Sequence, residues 1–175
     1  MMNLRRRAAG FICAASIAVT APLVSVPVAF ADTGSAGSSD NGSTGSSGSA
    51  DIFLPVSTTA GMQALAAATT QLGKPYKWGG TGPNSWDCSG LVQWAFSTAG
   101  IWLPRTSQQQ AKVGHAIPLW AIAPGDIIIF WRDASHVGIY AGFGQVLNAY
   151  GPNGVPIGFN ALAAMPSIKT IRRIG

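Results

Sequence analysis

The chain has 175 residues, with 11 basic and six acidic side chains. This length suits one domain with attached segments and excludes a large multidomain protein. The positive charge is not arranged as a Lys/Arg stripe with interleaved aromatic residues, so the sequence does not predict nucleic-acid binding.

The N-terminus has the pattern of a secretory leader, which we predict to comprise residues 1–31. Arg5–Arg7 precede an apolar run over residues 8–21, and Ala29-Phe30-Ala31 forms a small-x-small cleavage signal. An uncleaved membrane anchor is the alternative, because the run is nearly long enough to span a bilayer. Two prolines after the run favour removal, which leaves eight basic and six acidic residues. We therefore predict a secreted protein, exported by the Sec or the twin-arginine route, that contacts the membrane only if its leader is retained.

A linker is predicted over residues 32–58. Residues 32–50 are rich in Gly and Ser and cannot bury enough apolar surface to become ordered. Residues 51–58 are more apolar and are expected to lie against the folded part. The domain itself is predicted over residues 59–175.

Helices are predicted in the first half of this domain. The first has Thr58 or Thr59 as its cap and ends at Gly73; its predicted buried face comprises Met62, Leu65, Ala66, Thr69 and Leu72. The second has Asp87 as its cap and ends at Gly100; its predicted buried face comprises Leu91, Val92, Ala95, Phe96 and Ala99. A short third helix is predicted over residues 107–113.

Strand patterns dominate the second half. PGDIIIFW predicts a strand over residues 126–131, HVGIYAGFGQVLNAY predicts two strands around a turn, and GVPIGF and SIKTIRRI predict two more. Helices followed by consecutive strands indicate an α+β domain with an antiparallel sheet.

Cys88 is the only cysteine after the leader, so no disulfide can form within the secreted chain. A lone cysteine in an exported protein is a reactive thiol, a partner in an intermolecular bond, or a buried inert residue. If Asp87 caps the helix, Cys88 is its first residue, where free N–H groups and the helix dipole stabilise a thiolate. This position predicts a nucleophile with a pKa below the ordinary value of about 8.5.

A cysteine nucleophile needs a base, and the chain has only His115 and His136. His115 lies in a predicted loop with no distinguishing context. His136 begins a predicted strand, where a rigid sheet would hold its ring in place. Asn148, on the next strand, is the candidate for orienting that ring.

The turn between these strands decides whether His136 and Asn148 share a face of the sheet. They do so only if the turn holds an odd number of residues or a bulge has the same effect. We predict a three-residue loop over residues 141–143, which would pair Tyr140 with Gly144 and His136 with Asn148.

The resulting chain order, Cys88, His136 and Asn148, is the order found in papain-like peptidases. In this scheme Cys88 attacks an amide carbonyl, and its backbone N–H helps to hold the oxyanion. His136 protonates the leaving amine and then activates water, while Asn148 fixes the tautomer of the imidazole.

Five segments in order resemble the NlpC family of bacterial cell-wall cysteine peptidases: GKPYKWGG, DCSGLVQWAF, LPRTSQQQ, PGDIIIFW and HVGIYAGFGQVLNAY. The resemblance covers about residues 60–172. It implies a papain-like α+β fold and hydrolysis of peptidoglycan stem peptides, most often between γ-D-glutamate and diaminopimelate or lysine. It further implies a monomer associated with the cell wall that uses no cofactor or metal.

The resemblance also implies roles for individual residues. Cys88 is the nucleophile, His136 the base and Asn148 the third polar residue, a position that is more often histidine in the family.

Substrate-binding roles come from the same resemblance. Tyr76 contributes its hydroxyl to the site, and Asp87 and Ser89 bind the free amine of the substrate's first L-alanine. Each has a structural alternative: Tyr76 packs under the Gly-rich loop, Asp87 only caps the helix, and Ser89 is a common residue of a first turn. Arg105 either is structural or lines the cleft.

Two other functions stay open on the same scaffold. One is an amidase or acyltransferase, and the other is an inactive relative that binds the cell wall. A zinc hydrolase is disfavoured, because two histidines without HExxH spacing and one cysteine supply too few ligands. A serine hydrolase is disfavoured because the G-x-S-x-G motif is missing.

Overall fold

The computed structural model describes residues 53–152 and 154–175, so the predicted leader and most of the predicted linker lie outside the described residues. The helices are α1 (Thr59–Thr69), α2 (Cys88–Thr98) and α3 (Ser107–Gln110). The strands are β1 (His115–Ala116), β2 (Ile127–Phe130), β3 (His136–Gly142), β4 (Gln145–Asn148), β5 (Gly158–Ala161) and β6 (Ile168–Arg173). The predicted α+β order, helices before strands, is confirmed. None of the described helices is both long and apolar enough to traverse a bilayer.

The strands form one antiparallel sheet in the order β1-β6-β2-β3-β4-β5. Strands β2 to β5 follow one another as a meander, and β6 returns to the free side of β2. The two-residue strand β1 has no apolar alternation, which is why the sequence did not predict it. All four residues of β2 are buried, as expected of a central strand covered on both faces.

Two hydrophobic clusters cover the two faces of the sheet. The larger cluster contains residues from α1 and α2 together with Ile127, Ile129 and Val137 of the sheet. The smaller cluster contains Ile128 and Phe130, which alternate with them along β2. The sheet is therefore the middle layer, with the two long helices on one side and a thinner cover on the other.

The buried face of α1 differs from the prediction. Gly61, Ala64, Leu65 and Ala68 are its buried residues, whereas Met62 is 45% exposed. Small residues face inward because the helix lies very close to the chain before β2: a Cβ on Gly61 would come within 3.0 Å of the Gly125 carbonyl oxygen. A hydrophobicity pattern favours large side chains and does not detect this kind of contact.

The predictions for α2 are largely confirmed. Asp87 is its N-cap and accepts a hydrogen bond from the Gly90 amide at 2.7 Å. The predicted buried residues are buried except Ala99, which is the C-cap and only half-buried. Helix α3 ends at Gln110, shorter than predicted, and begins with a capping box formed by Thr106 and Gln109.

A buried ion pair joins the start of β2 to the end of β6. The Arg173 guanidinium donates from Nε and Nη2 to the Asp126 carboxylate, each at 2.8 Å. Arg173 also donates to the carbonyl oxygens of Leu54 and Ala121. Together with Phe53, which packs on the smaller cluster, these contacts hold the segment before α1 against the domain.

We expect Asp126→Ala to lower the free energy of unfolding by about 3 kcal/mol, because it leaves the largely buried Arg173 guanidinium unpaired. Urea denaturation followed by circular dichroism measures the change. Lys112→Ala, at an exposed position, is the control and should change stability by less than about 0.5 kcal/mol. Equal stabilities of the two variants would contradict the structural role given to the ion pair.

Candidate active site

Cys88 is the first residue of α2, directly after the Asp87 cap. Its side chain is buried, and the residue is 8% exposed. The backbone N–H groups of Val137, of Ser89 and of Cys88 itself lie close enough to the sulfur to lower the pKa of the thiol. The first turn of α2 therefore holds the sulfur against the start of β3, where Val137 follows His136.

His136 and Cys88 line the same cleft, which has a volume of about 340 Å³. Rings surround the imidazole: the centroid of Tyr150 lies 4.8 Å from that of His136, Phe130 at 5.7 Å and Trp131 at 5.9 Å. His136 is only 4% exposed. These contacts restrict the movement of the ring in the cleft that it shares with Cys88.

The connection between β3 and β4 is not the predicted three-residue loop. Tyr140 pairs with Val146, and Gly142 pairs with Gln145 after a bulge between Tyr140 and Gly142. The predicted pairings of Tyr140 with Gly144 and of His136 with Asn148 are therefore both wrong by two residues. The physical reason is that a bulge takes up the odd residue inside the strand.

The bulge nevertheless places His136 and Asn148 on one face of the sheet, as the predicted turn was expected to do. The two residues left between the strands, Phe143 and Gly144, both have positive φ, as a tight hairpin requires. Asn148 packs beside Gly138, two residues after His136 and on the same face of β3. The alternative predicted for this turn, a bulge that places His136 and Asn148 on one face, is thus confirmed.

Asn148 is 1% exposed, and its side chain raises the pKa of His136. Among the described residues, Nε2 of His136 and Oδ1 of Asn148 are both buried without a hydrogen-bond partner of good geometry. An imidazole N–H and an amide oxygen are complementary. Catalytic hydrogen bonds are often long or misaligned before substrate binds, so we interpret these two atoms as one loosely formed pair.

The predicted low pKa of Cys88 is wrong for the protein without substrate. Burial raises the pKa of the thiol above its ordinary value, and the neighbouring Asp87 carboxylate raises it further. The backbone N–H groups lower this pKa, as expected at a helix N-terminus, but they do not outweigh burial. Burial also lowers the pKa of His136 to about 4. At neutral pH the site therefore holds a thiol and a neutral imidazole.

Asp87 and Ser89 line a second cleft, of about 510 Å³, which shares Cys88 with the first. The Arg105 guanidinium binds Asp87 through two nitrogens and donates to the Ser89 hydroxyl at 2.9 Å. Arg105 therefore lines the cleft and is part of this cluster. A bidentate pair between positions 18 residues apart leaves no local signal in the sequence.

Tyr76 lines the first cleft together with Cys88 and His136. Its backbone N–H donates to the carbonyl oxygen of Val155 at 2.7 Å, which fixes the Gly-rich loop. Burial, together with the charges of Cys88 and Asp87, raises the pKa of the Tyr76 hydroxyl. The hydroxyl is therefore protonated at neutral pH and can donate a hydrogen bond into the site.

Trp131 and Tyr150 form an aromatic wall of the first cleft. Trp131 directly follows β2 with φ of 60°, a strained conformation for a large side chain, and its ring packs beside Tyr150. The position of the Trp131 ring depends on this positive φ, and nothing in the sequence around Trp131 predicts that conformation. No group of three or more potential metal ligands occurs among the residues described.

Gly138 has no side chain because the space is filled by Asn148 and Val146. A Cβ at this position would lie 2.5 Å from Cγ1 of Val146 and 3.0 Å from Cβ of Asn148. We expect Gly138→Ala to lower the free energy of unfolding by about 1–3 kcal/mol through overpacking.

Gly158→Ala is the matched control. Gly158 pairs with Asn148 from the other side, and its added Cβ would have only one neighbour, at 4.0 Å. The free energy of unfolding of the Gly158→Ala protein, measured by urea denaturation, should stay within about 0.5 kcal/mol of that of the parent protein. A Gly138→Ala protein as stable as the Gly158→Ala protein would refute the packing described for Asn148.

The neutral state of His136 predicts a pH-dependent stability. In the unfolded chain its pKa returns to about 6.5, so between that value and about 4 the unfolded state binds a proton that the folded state does not. Stability is therefore lost as pH falls, by about 2–3 kcal/mol between pH 7.5 and 4.5.

Urea denaturation at several pH values measures this loss for the parent and for His136→Gln, in which most of the pH dependence should disappear. His115→Gln changes an exposed histidine and should keep the slope of the parent. If the slope survives in His136→Gln, the imidazole is not buried in its neutral form.

Comparison with known proteins identifies the family to which this fold belongs. The family model described as NlpC/P60 matches residues 73–164, more than half of the chain. A probable endopeptidase of Corynebacterium glutamicum is 43% identical over 118 residues, which cover 67% of this chain and 56% of the relative. The chain thus spans little more than half the length of this curated relative.

Solved structures agree with this assignment. The P60 domain of a Mycobacterium avium subspecies paratuberculosis antigen is 31% identical with a TM-score of 0.60, covering 65% of this chain and 93% of that domain. The peptidoglycan hydrolase RipB of Mycobacterium tuberculosis is 29% identical with a TM-score of 0.58, covering 65% of this chain and 64% of RipB. The predicted papain-like α+β fold is therefore confirmed, and the chain belongs to the NlpC/P60 family.

Proposed function

We propose that this protein is a cysteine endopeptidase that hydrolyses peptidoglycan stem peptides between γ-D-glutamate and diaminopimelate or lysine. The observation that carries the proposal is that Cys88 and His136 line one cleft, with the backbone N–H of Val137, the residue next to His136, close enough to the sulfur to lower the pKa of the thiol. Relatives named probable endopeptidases and a structural neighbour named a peptidoglycan hydrolase support the substrate class.

Acylation starts from the uncharged pair. The Cys88 sulfur attacks the carbonyl carbon of the scissile amide while the thiol proton passes to His136, so no separate thiolate has to persist in the buried site. The carbonyl oxygen becomes an oxyanion. A backbone N–H in the first turn of α2 and the Tyr76 hydroxyl are the donors available to it.

The intermediate then collapses. The imidazolium of His136 gives its proton to the leaving amine, the C–N bond breaks, and a thioester with Cys88 remains. Water replaces the amine, gives a proton to His136 and attacks the thioester carbonyl; the proton then returns to the departing sulfur. Asn148 accepts the Nε2–H hydrogen bond in the charged and neutral states, which keeps the ring in one orientation.

The two clefts meet at Cys88, Trp78 and Ser135, which line both. A peptide can therefore extend to either side of the sulfur. This arrangement leaves room for substrate residues on both sides of the scissile bond.

The polar cleft supports the proposed binding of the acyl side of the substrate. Asp87 and Ser89 can both accept hydrogen bonds from the free amine of L-alanine. The Asp87 carboxylate, however, is already paired with Arg105. The cleft thus presents both charges. The ammonium of the substrate approaches Asp87 and its α-carboxylate approaches Arg105, so the zwitterionic end of an L-Ala-γ-D-Glu unit fits both.

The proposed organisation follows from the same function. Residues 1–31 direct export, residues 32–58 act as a flexible spacer that begins to contact the domain near its end, and residues 59–175 form a monomeric peptidase at the cell wall. These assignments are tested by N-terminal sequencing of the secreted protein and by its sedimentation.

The direct test incubates residues 32–175 with L-Ala-γ-D-Glu-diaminopimelate-D-Ala and with its lysine counterpart, and identifies products by mass. We expect L-Ala-γ-D-Glu to be released. Cys88→Ala and His136→Ala should each lower kcat at least a hundredfold, whereas His115→Ala should leave it unchanged.

Other products would indicate the alternative functions. Cleavage between muramic acid and L-alanine in wall fragments would indicate an amidase, and peptide conjugates with an added amine would indicate an acyltransferase. Binding without turnover by the unmodified protein, at the same affinity as Cys88→Ala, would refute an enzyme and indicate a wall-binding relative.

A further inference from the structure

Asn160 contacts the amide of Asn148 from the neighbouring strand β5. The Asn148 Nδ2 donates to the Val146 carbonyl oxygen and to Oδ1 of Asn160, each at 3.1 Å. A primary amide nitrogen has two N–H groups, so both are used. The atom that remains is Oδ1 of Asn148, which is buried without a partner, and the Asn148 side chain lies close enough to His136 to raise the pKa of the imidazole.

These two acceptors decide which way the Asn148 amide points. Rotation by 180° would place Oδ1 against the Val146 carbonyl oxygen, where two acceptors would face each other, and it would require Asn160 to rotate its own amide as well. It would also turn N–H groups towards Nε2 of His136. That nitrogen would then have to give up its proton, and the proton would move to Nδ1.

We propose that Asn160 is a positioning residue of the active site: by accepting a hydrogen bond from Asn148, it keeps the Asn148 oxygen towards Nε2–H of His136. The other ring nitrogen, Nδ1, then keeps its lone pair for the Cys88 thiol. This inference rests on the proposed function, because the tautomer affects turnover only if His136 is the base. An acidic residue or a histidine at position 148 would not need the hydrogen bond to Asn160, since neither has an amide to orient.

Three variants separate positioning from a structural role. Asn160→Leu removes the acceptor, and Asn160→Asp retains it. Phe159→Leu is the matched control, because Phe159 neighbours Asn160 on the same strand and alternation directs its side chain to the other face. Both positions are exposed, so the three proteins should fold.

Kinetics on the stem peptide give the first readout. We expect Asn160→Leu to lower kcat about five- to tenfold with KM unchanged, which corresponds to the loss of one hydrogen bond. Asn160→Asp should keep kcat within about twofold and move the acid limb of kcat/KM to higher pH, because a nearby carboxylate favours the imidazolium. In the described cleft the titratable neighbours of His136 are Cys88, Tyr76 and Tyr150, none of them a carboxylate that could cause this shift.

The tautomer itself gives the second readout. In a Cys88→Ala background, ¹⁵N chemical shifts of His136 should show Nε2–H alone, and adding Asn160→Leu should produce a mixture of both tautomers. This measurement needs no turnover, so it separates the inference from the proposed function: a shifted tautomer in a protein that cleaves no stem peptide would refute the function alone.

Three results would overturn the inference. They are an unchanged tautomer in Asn160→Leu, with or without a loss of kcat; a loss in Asn160→Asp as large as that in Asn160→Leu; and an equal loss in Phe159→Leu. Each would mean that Asn160 does not act through the amide of Asn148.

Discussion

The packing of the first turn of α2 against the first residues of β3 determines the whole site. The Asp87 cap fixes where the helix begins, and the Cys88 sulfur then lies close enough to the Val137 N–H for that group to lower the pKa of the thiol. Because a strand and a capped helix are both rigid, His136 needs only to precede Val137 to reach the thiol. The larger hydrophobic cluster, which joins α2 to β3, maintains this alignment.

The same packing sets the charges of the reacting groups. Taking the sulfur and the imidazole out of water favours their neutral forms, and Asp87 adds to this effect at Cys88. In the proposed reaction, charge therefore develops on the reacting groups only as the reaction proceeds, and backbone N–H groups and the Tyr76 hydroxyl are the proposed donors to it. A protonated thiol also oxidises more slowly than a thiolate.

The sequence predicted those features that depend on local chemistry. Asp87 followed by an apolar stripe identified the helix and its cap, and strand alternation placed His136 and Asn148 on one face. Features that depend on distant contacts were not predictable: the small inward face of α1, the pairing of Arg105 with Asp87, and the position of the bulge. The net pKa of Cys88 was mispredicted because helix position is visible in a sequence, whereas burial of one sulfur atom is not.

The titration of Cys88 tests the account most directly. Alkylation by iodoacetamide, followed by mass spectrometry across pH, reports the thiolate fraction in the protein without substrate, with His136→Gln as comparison. The account predicts that reactivity rises only above the ordinary thiol pKa of about 8.5 and that the His136→Gln protein titrates similarly. A thiolate that is already formed below pH 7 and that disappears in His136→Gln would contradict it, since the resting site would then be an ion pair.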